Sequence, residues 1–261
     1  MRLLAILILC ILVAACDRQA ATEELTEARS AFANREWNDA ERLLEGYLRR
    51  NPEGAQRWEA WNLLVEVAHR VRNDERATVE LLETMYLENG SNPERAYDIL
   101  TRLGELLEAG RDFRRAAEVW PRVLELPGLT PDTRALVSRR LARILVMQRR
   151  FPEAEERLKA CLDTEGLSTE GRAGCLYDLA DLNVASEHLD VAVDLATTLV
   201  GLEGLTPELR SQAGFLLADA LEQRGCFAEA LERFEALRGV YPNDMVIDTR
   251  VRHLKGRLGR K

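Results

Sequence analysis

Residues 215–242 read FLLADALEQRGCFAEALERFEALRGVYP. Phe215, Leu217, Ala218 and Leu221 recur at helical spacing and give one apolar stripe. Gly225-Cys226-Phe227 interrupts the pattern. A second stripe follows on Ala230, Leu231, Phe234 and Leu237 and stops at Tyr241-Pro242. The stretch predicts two short amphipathic helices joined by a tight turn.

Working outward, the same unit recurs. An alanine matching Ala230 stands at Ala192, Ala154, Ala116, Ala77 and Ala40, at spacings of 37 to 39 residues. The joints repeat as well: Gly128-Leu129-Thr130, Gly166-Leu167-Ser168 and Gly204-Leu205-Thr206 lie 38 apart. Glycine just past a helix end takes the left-handed conformation, and the next leucine folds back on the last turn. Thr or Ser then caps the following helix, with Pro131 and Pro207 at its first position; Asn92-Pro93 does the same earlier. Small residues, Gly104, Ala142, Ala180 and Ala218, fall where the two helices of a unit should cross closely. Pro121, inside a second helix, removes a hydrogen bond and should kink it.

These units resemble the tetratricopeptide repeat (TPR), whose pattern places Trp, Leu-Gly and Tyr on one helix and Ala, Phe and Pro on the next. Trp37, Ala40, Leu44 and Pro52 keep it in the first unit. Trp61, Leu64, Ala68, Ala77 and Leu81 keep it in the second, and Leu103-Gly104, Leu107, Phe113, Ala116 and Trp120 in the third. Leu141-Ala142, Phe151, Ala154 and Leu158 mark the fourth, and Leu179-Ala180, Leu189 and Ala192 the fifth. The resemblance implies an all-α fold, a right-handed superhelical solenoid of about six TPR-like helix pairs over residues 24–243. The period departs from the family, 38 in place of 34. Residues 244–261 add a capping helix: Ile247, Val251, Leu254 and Leu258 form its apolar stripe. Six basic and no acidic residues follow from Arg250 on. They read as a solvated face or as a contact with anionic lipid headgroups.

The chain starts with Met1-Arg2 and an apolar run, Leu3 to Val13, too short to span a bilayer and suited to a signal peptide. Val13-Ala14-Ala15-Cys16 resembles a bacterial lipobox. That likeness implies removal of residues 1–15, lipidation of Cys16 and a short tether over residues 16–23. Asp17 resembles the signal that retains lipoproteins in the inner membrane, so the inner membrane is favoured over the outer. Asp17 to Glu23, fully extended, reach about 25 Å, which keeps the folded part near the headgroups.

With 44 acidic and 36 basic side chains, the net charge is −8, which argues against a nucleic-acid partner. His69, His188 and His253 have no metal-ligand spacing, and no phosphate loop or nucleophile elbow is present. The expectation is therefore a non-enzyme without cofactor or metal. Cys161 and Cys175 face each other across one joint, as a disulfide or as two buried thiols.

By analogy with the family, the first helix of each pair lines a concave groove. Its partner-binding side chains would be Asn62, Glu66 and His69, then Thr101 and Glu105, then Arg139 and Arg143, then Tyr177 and Asp181, and finally Phe215 and Asp219. Tyr177 and Phe215 would be apolar anchors in a charged row. The Lys/Asn carboxylate clamp of chaperone-binding members is absent. The expected role is a lipid-anchored periplasmic scaffold or adaptor of a cell-envelope complex, holding another envelope protein by a peptide or helix in the groove. The alternatives are an inner-membrane periplasmic chaperone or quality-control factor, and a lipoprotein of the pilotin or outer-membrane-assembly kind.

Overall fold

The computed structural model describes residues 22–259. The expected signal segment, Cys16 and Asp17 lie outside the described residues. The described residues are all helix and connection, without a strand. The chain divides into two compact units between Asp112 and Phe113, inside the third expected helix pair.

The first unit holds α1 (22–33), α2 (Trp37–Arg50), α3 (Arg57–Glu66), α4 (Glu75–Asn89) and α5 (Pro93–Ala109). α3 does not stop at Glu66 but runs into a π-helical turn, Val67–Val71. α2 packs on α3 and α4 on α5. Leu44, Tyr47, Leu82, Met85 and Ile99 are almost wholly buried here.

The second unit holds α6 (Phe113–Leu124), α7 (Pro131–Met147), α8 (Phe151–Leu162), α9 (Thr169–Ala185), α10 (Leu189–Val200), α11 (Pro207–Arg224), α12 (Phe227–Ala236) and α13 (Asp244–Leu258). Each helix packs on the next in chain order. α6 continues through Pro121 to Leu124. The period of 38 resolves into a 17-residue first helix, a three-residue turn, a 12-residue second helix and a six-residue joint. A disulfide joins Cys161 on α8 to Cys175 on α9, with Cα atoms 6.1 Å apart, in a pocket with Ala135.

The joints form as their residues dictate. Gly128, Gly166 and Gly204 have φ of 80°, 73° and 78°. Thr130, Ser168 and Thr206 then accept from the backbone N–H groups of Thr133, Gly171 and Leu209, which would otherwise be orphans of the first turn. Asn92 caps α5 in the same way. Gly104, Ala142, Ala180 and Ala218 are buried where helices meet. α13 buries Ile247, Val251 and Leu254 against α12, including Phe234 and Leu237. An all-α fold of helix pairs closed by a C-terminal cap is what the periodicity called for.

Another periodic feature had no sequence signature. The turn within each pair carries one left-handed residue: Arg35, Asn73, Arg111, Arg149, Glu187 and Gly225, each 38 after the last. Only the sixth is glycine. Among the described residues, no helix is long and apolar enough to cross a membrane.

Candidate functional site

In the first unit, α3, its π-helical turn, α4 and α5 enclose a cleft of about 390 Å³. Val65, Leu82 and Leu106, all buried, form the floor. Glu66, His69, Arg70, Arg102 and Glu105 stand at the mouth. A π-turn inserts one residue into the helical register, and such bulges concentrate at functional positions. His69 and Arg70 lie within this turn and on the cleft wall, on the same face as Glu66. Arg102 Nη1 donates to Asn62 Oδ1 at 2.7 Å and to Asp98 Oδ2 at 3.3 Å. Arg70 Nη1 donates to Glu66 Oε1 at 3.2 Å. Behind the cleft, Arg57 Nε and Trp61 Nε1 donate to Glu88 at 2.6 and 2.9 Å. The Arg57 hydrogen bond, joined by that of Trp61, holds the Glu88 carboxyl below its ordinary value, with burial opposing.

In the second unit, charged groups run along α7, α9 and α11. Asp178, buried on α9, accepts from Arg139 Nε at 2.6 Å and Arg143 Nη2 at 3.2 Å, both from α7. Asp219 on α11 accepts from Arg250 Nη2 at 2.9 Å, and Arg250 Nη1 donates to Glu222 at 3.1 Å. Between these ion-paired carboxylates lies Asp181, which has no hydrogen-bond or ion-pair partner among the described residues. Desolvation, then the charges of Asp178 and Asp219, raise its carboxyl above the ordinary range, while Arg143 acts the other way. Burial, and next the Asp181 charge, likewise push the Tyr177 phenol up.

The expected groove residues therefore meet different fates. Glu66, His69 and Glu105 share one cleft, and Asn62 is tied to it through Arg102. Thr101 lies off that cleft, its Oγ1 buried without a hydrogen bond. Arg139 and Arg143 are not a free basic centre, because Asp178 takes both. Phe215 is half-buried. Its ring stacks on Tyr241 at 4.8 Å and meets Phe234 edge-on at 5.4 Å, against the edge of the α11–α13 core. Asp219 is held by α13. The basic tail is partly spent within the chain too: Lys255 pairs with Glu235 at 2.7 Å, and Arg257 lies 4.2 Å over the Phe227 ring. Arg102, Asp178 and Arg250 were missed because nothing local marks them; each becomes significant only when a helix some 30 to 40 residues away packs beside it. Among the described residues, no group of three or more His, Cys, Asp or Glu side chains could hold a metal.

Comparison with known proteins adds the following. The tetratricopeptide-repeat profile matches residues 25–99 and 177–244. No curated protein matches the sequence significantly. Among solved structures, the chain is similar to BtubC (BKLC) of P. vanneervenii, with a TM-score of 0.54 and 20% identity over 88% of this chain and 94% of that one. It is similar to PilF of Pseudomonas aeruginosa, with a TM-score of 0.51 and 14% identity over 92% and 99%. It is also similar to MamA (41-end) of Desulfovibrio magneticus RS-1, with a TM-score of 0.53 and 18% identity over 70% and 93%. At such identities the likeness is one of fold.

Proposed function

We propose a recruiting role for this chain, which belongs to the tetratricopeptide-repeat family. Helix pairs of this kind are scaffolds for protein–protein contact, and the chain acts as one: a non-catalytic adaptor that holds another protein at a cell envelope. The observation that carries the reading is the open, mixed cleft of the first unit, an apolar floor ringed by charged side chains on the first helices of two successive pairs. Such a lining matches a protein surface, where buried anchors supply affinity and polar rims supply orientation.

The location is read from the N-terminus. An apolar run of eleven residues ending in Val13-Ala14-Ala15-Cys16 supports export and lipidation at Cys16. Two or three acyl chains there would make a stable membrane anchor, where one is marginal. On this reading the lipid fixes the position and the repeats select the partner, another envelope protein.

A chaperone that holds unfolded exported chains needs a broad apolar surface. The charged faces of both units favour the adaptor instead. Two experiments test the reading. Cys16→Ala should abolish uptake of labelled fatty acid and release the protein from the membrane fraction; unchanged fractionation, with no label on the wild type, would sink the anchor. Crosslinking in cells should yield one stoichiometric partner. A broad smear of clients would transfer the assignment to the chaperone.

A further inference from the structure

We infer that the second unit holds a Lys or Arg side chain of its partner on the face shared by Tyr177 and Asp181. The inference rests on the adaptor reading and names the chemistry of the segment that the adaptor contacts. Three observations carry it, all within the second unit.

The first is a repeated pattern with one place unfilled. Tyr177 and Asp181 stand one turn apart on α9, and Phe215 and Asp219 hold the same two positions on α11, 38 residues later. In the later copy the chain supplies its own cation. Arg250 reaches from α13 to Asp219 at 2.9 Å, and its guanidinium carbon lies 6.0 Å from the centre of Phe234, the ring that packs on Phe215. In the earlier copy no cation arrives. Asp181 makes no hydrogen bond or ion pair among the described residues and stays open to solvent.

The second is the charge balance. The charged groups joined across α7, α9, α11 and α13 are the carboxylates Asp178, Asp219 and Glu222 and the guanidiniums Arg139, Arg143 and Arg250. Each of these three carboxylates is ion-paired, and Asp181 adds a negative charge with no partner. Desolvation, then the charges of Asp178 and Asp219, make that charge costly, and Arg143, which opposes them, is already bound to Asp178 at 3.2 Å. A cation beside Asp181 removes the cost, whereas an anion adds to it.

The third is the apolar ground beside the carboxylate. Tyr177, Phe215 and Tyr241 are half-buried against one core cluster, and the rings of Phe215 and Tyr241 are stacked. Burial, then Asp181, then Tyr241 push the Tyr177 phenol up, so these groups lie together. An ion pair at an accessible carboxylate is weak by itself. Here the rings offer a surface to the methylene stem of Lys or Arg and attract its charged head, which selects such a side chain over a small cation.

The test titrates the full chain, labelled with fluorotyrosine and held in detergent micelles, with four acetylated, amidated pentapeptides. These are Ala-Leu-Arg-Leu-Ala and the same peptide with Lys, citrulline or Glu at the centre. The fluorine resonances of Tyr177 and Tyr241 are assigned with Tyr177→Phe and Tyr241→Phe. The Arg and Lys peptides should shift the Tyr177 resonance and bind about fivefold more tightly than the citrulline peptide, the upper range for one accessible ion pair. The Glu peptide should bind most weakly. Asp181→Asn should bring the Arg peptide down to the citrulline level. That variant loses a costly charge, so its melting temperature should not fall, and the melt separates lost binding from lost fold. Asp181→Lys should place the Glu peptide above the Arg peptide. Equal binding of the Arg and citrulline peptides, no shift of Tyr177, or an Asp181→Asn variant that keeps the preference for Arg would each overturn the assignment. In cells, Asp181→Asn should lower the crosslinking yield of the single partner severalfold. An unchanged yield overturns the assignment and leaves the adaptor reading standing. A wild type that crosslinks no single partner removes the adaptor reading, and the peptide titration then decides the Asp181 site separately.

Discussion

At the scale of single residues, the six left-handed turn positions expose how little the repeat depends on glycine. Arg35, Asn73, Arg111, Arg149 and Glu187 adopt φ between 51° and 64°, where a Cβ meets the following carbonyl. The strain persists because the helices on either side fix the turn. At Gly225, φ is 91°, so Gly225→Ala should destabilise the chain by about 1 kcal/mol in denaturant melts. Glu187→Gly removes the strain but adds unfolded-state entropy, and its net effect should stay within about 0.5 kcal/mol. Asp181 makes a second residue-level case. Its carboxyl is raised in the folded state, so its ionisation opposes folding above that value, and the penalty disappears as pH falls below the unfolded value of about 3.9. Asp181→Asn should therefore raise the melting temperature at pH 7, with the gain vanishing near pH 3. An equal gain at both pH values would show that charge is not the cause.

At the scale of elements, α8 and α9 are held by both a buried disulfide and their capped joint. Closing a loop of this length is worth about 3 kcal/mol. Reduction, or Cys161→Ser with Cys175→Ser, should lower unfolding stability by that order. The helix crossings argue in the same direction: Ala180 has no exposed surface, and Ala180→Leu should overpack α9 at a cost of about 1–3 kcal/mol. Between α3 and α4, Glu88 has its carboxyl held down by Arg57 and Trp61. This stabilisation is complete above the unfolded value of about 4.3 and is lost as pH falls through the lower folded value. Melts from pH 7 to pH 2 should show a shallower acid limb for Glu88→Gln than for the wild type. These contacts explain what was legible. Helix ends and crossings were read directly, because caps, αL glycines and small residues act within a few positions of each other. Side-chain contacts such as the Arg102–Asn62 hydrogen bond and the Arg139–Asp178 ion pair were not, because they join helices that are neighbours only after packing.

At the scale of the whole molecule, the last helix closes one end of the repeat array. Removing residues 244–261 should expose Phe234 and Leu237, lower the melting temperature and promote binding of a hydrophobic dye; an unchanged melt would show that α13 is dispensable. By itself, the sequence determined the helical class, the period of 38 and the joints, because each depends on local propensity repeated many times over. It also carries the lipobox-like start on which the proposed location rests. The packed structure decided which charged residues remain available. Arg139 and Arg143 pair with Asp178, Asp219 pairs with Arg250, and Phe215 packs half-buried against Tyr241 and Phe234, while α3 and α5 leave an open cleft. The physical reason is that a side chain on a helix face is equally polar in sequence whether it meets solvent or a neighbour's counter-charge. Only the arrangement of helices distant along the chain distinguishes an ion pair already made from a donor still to be satisfied.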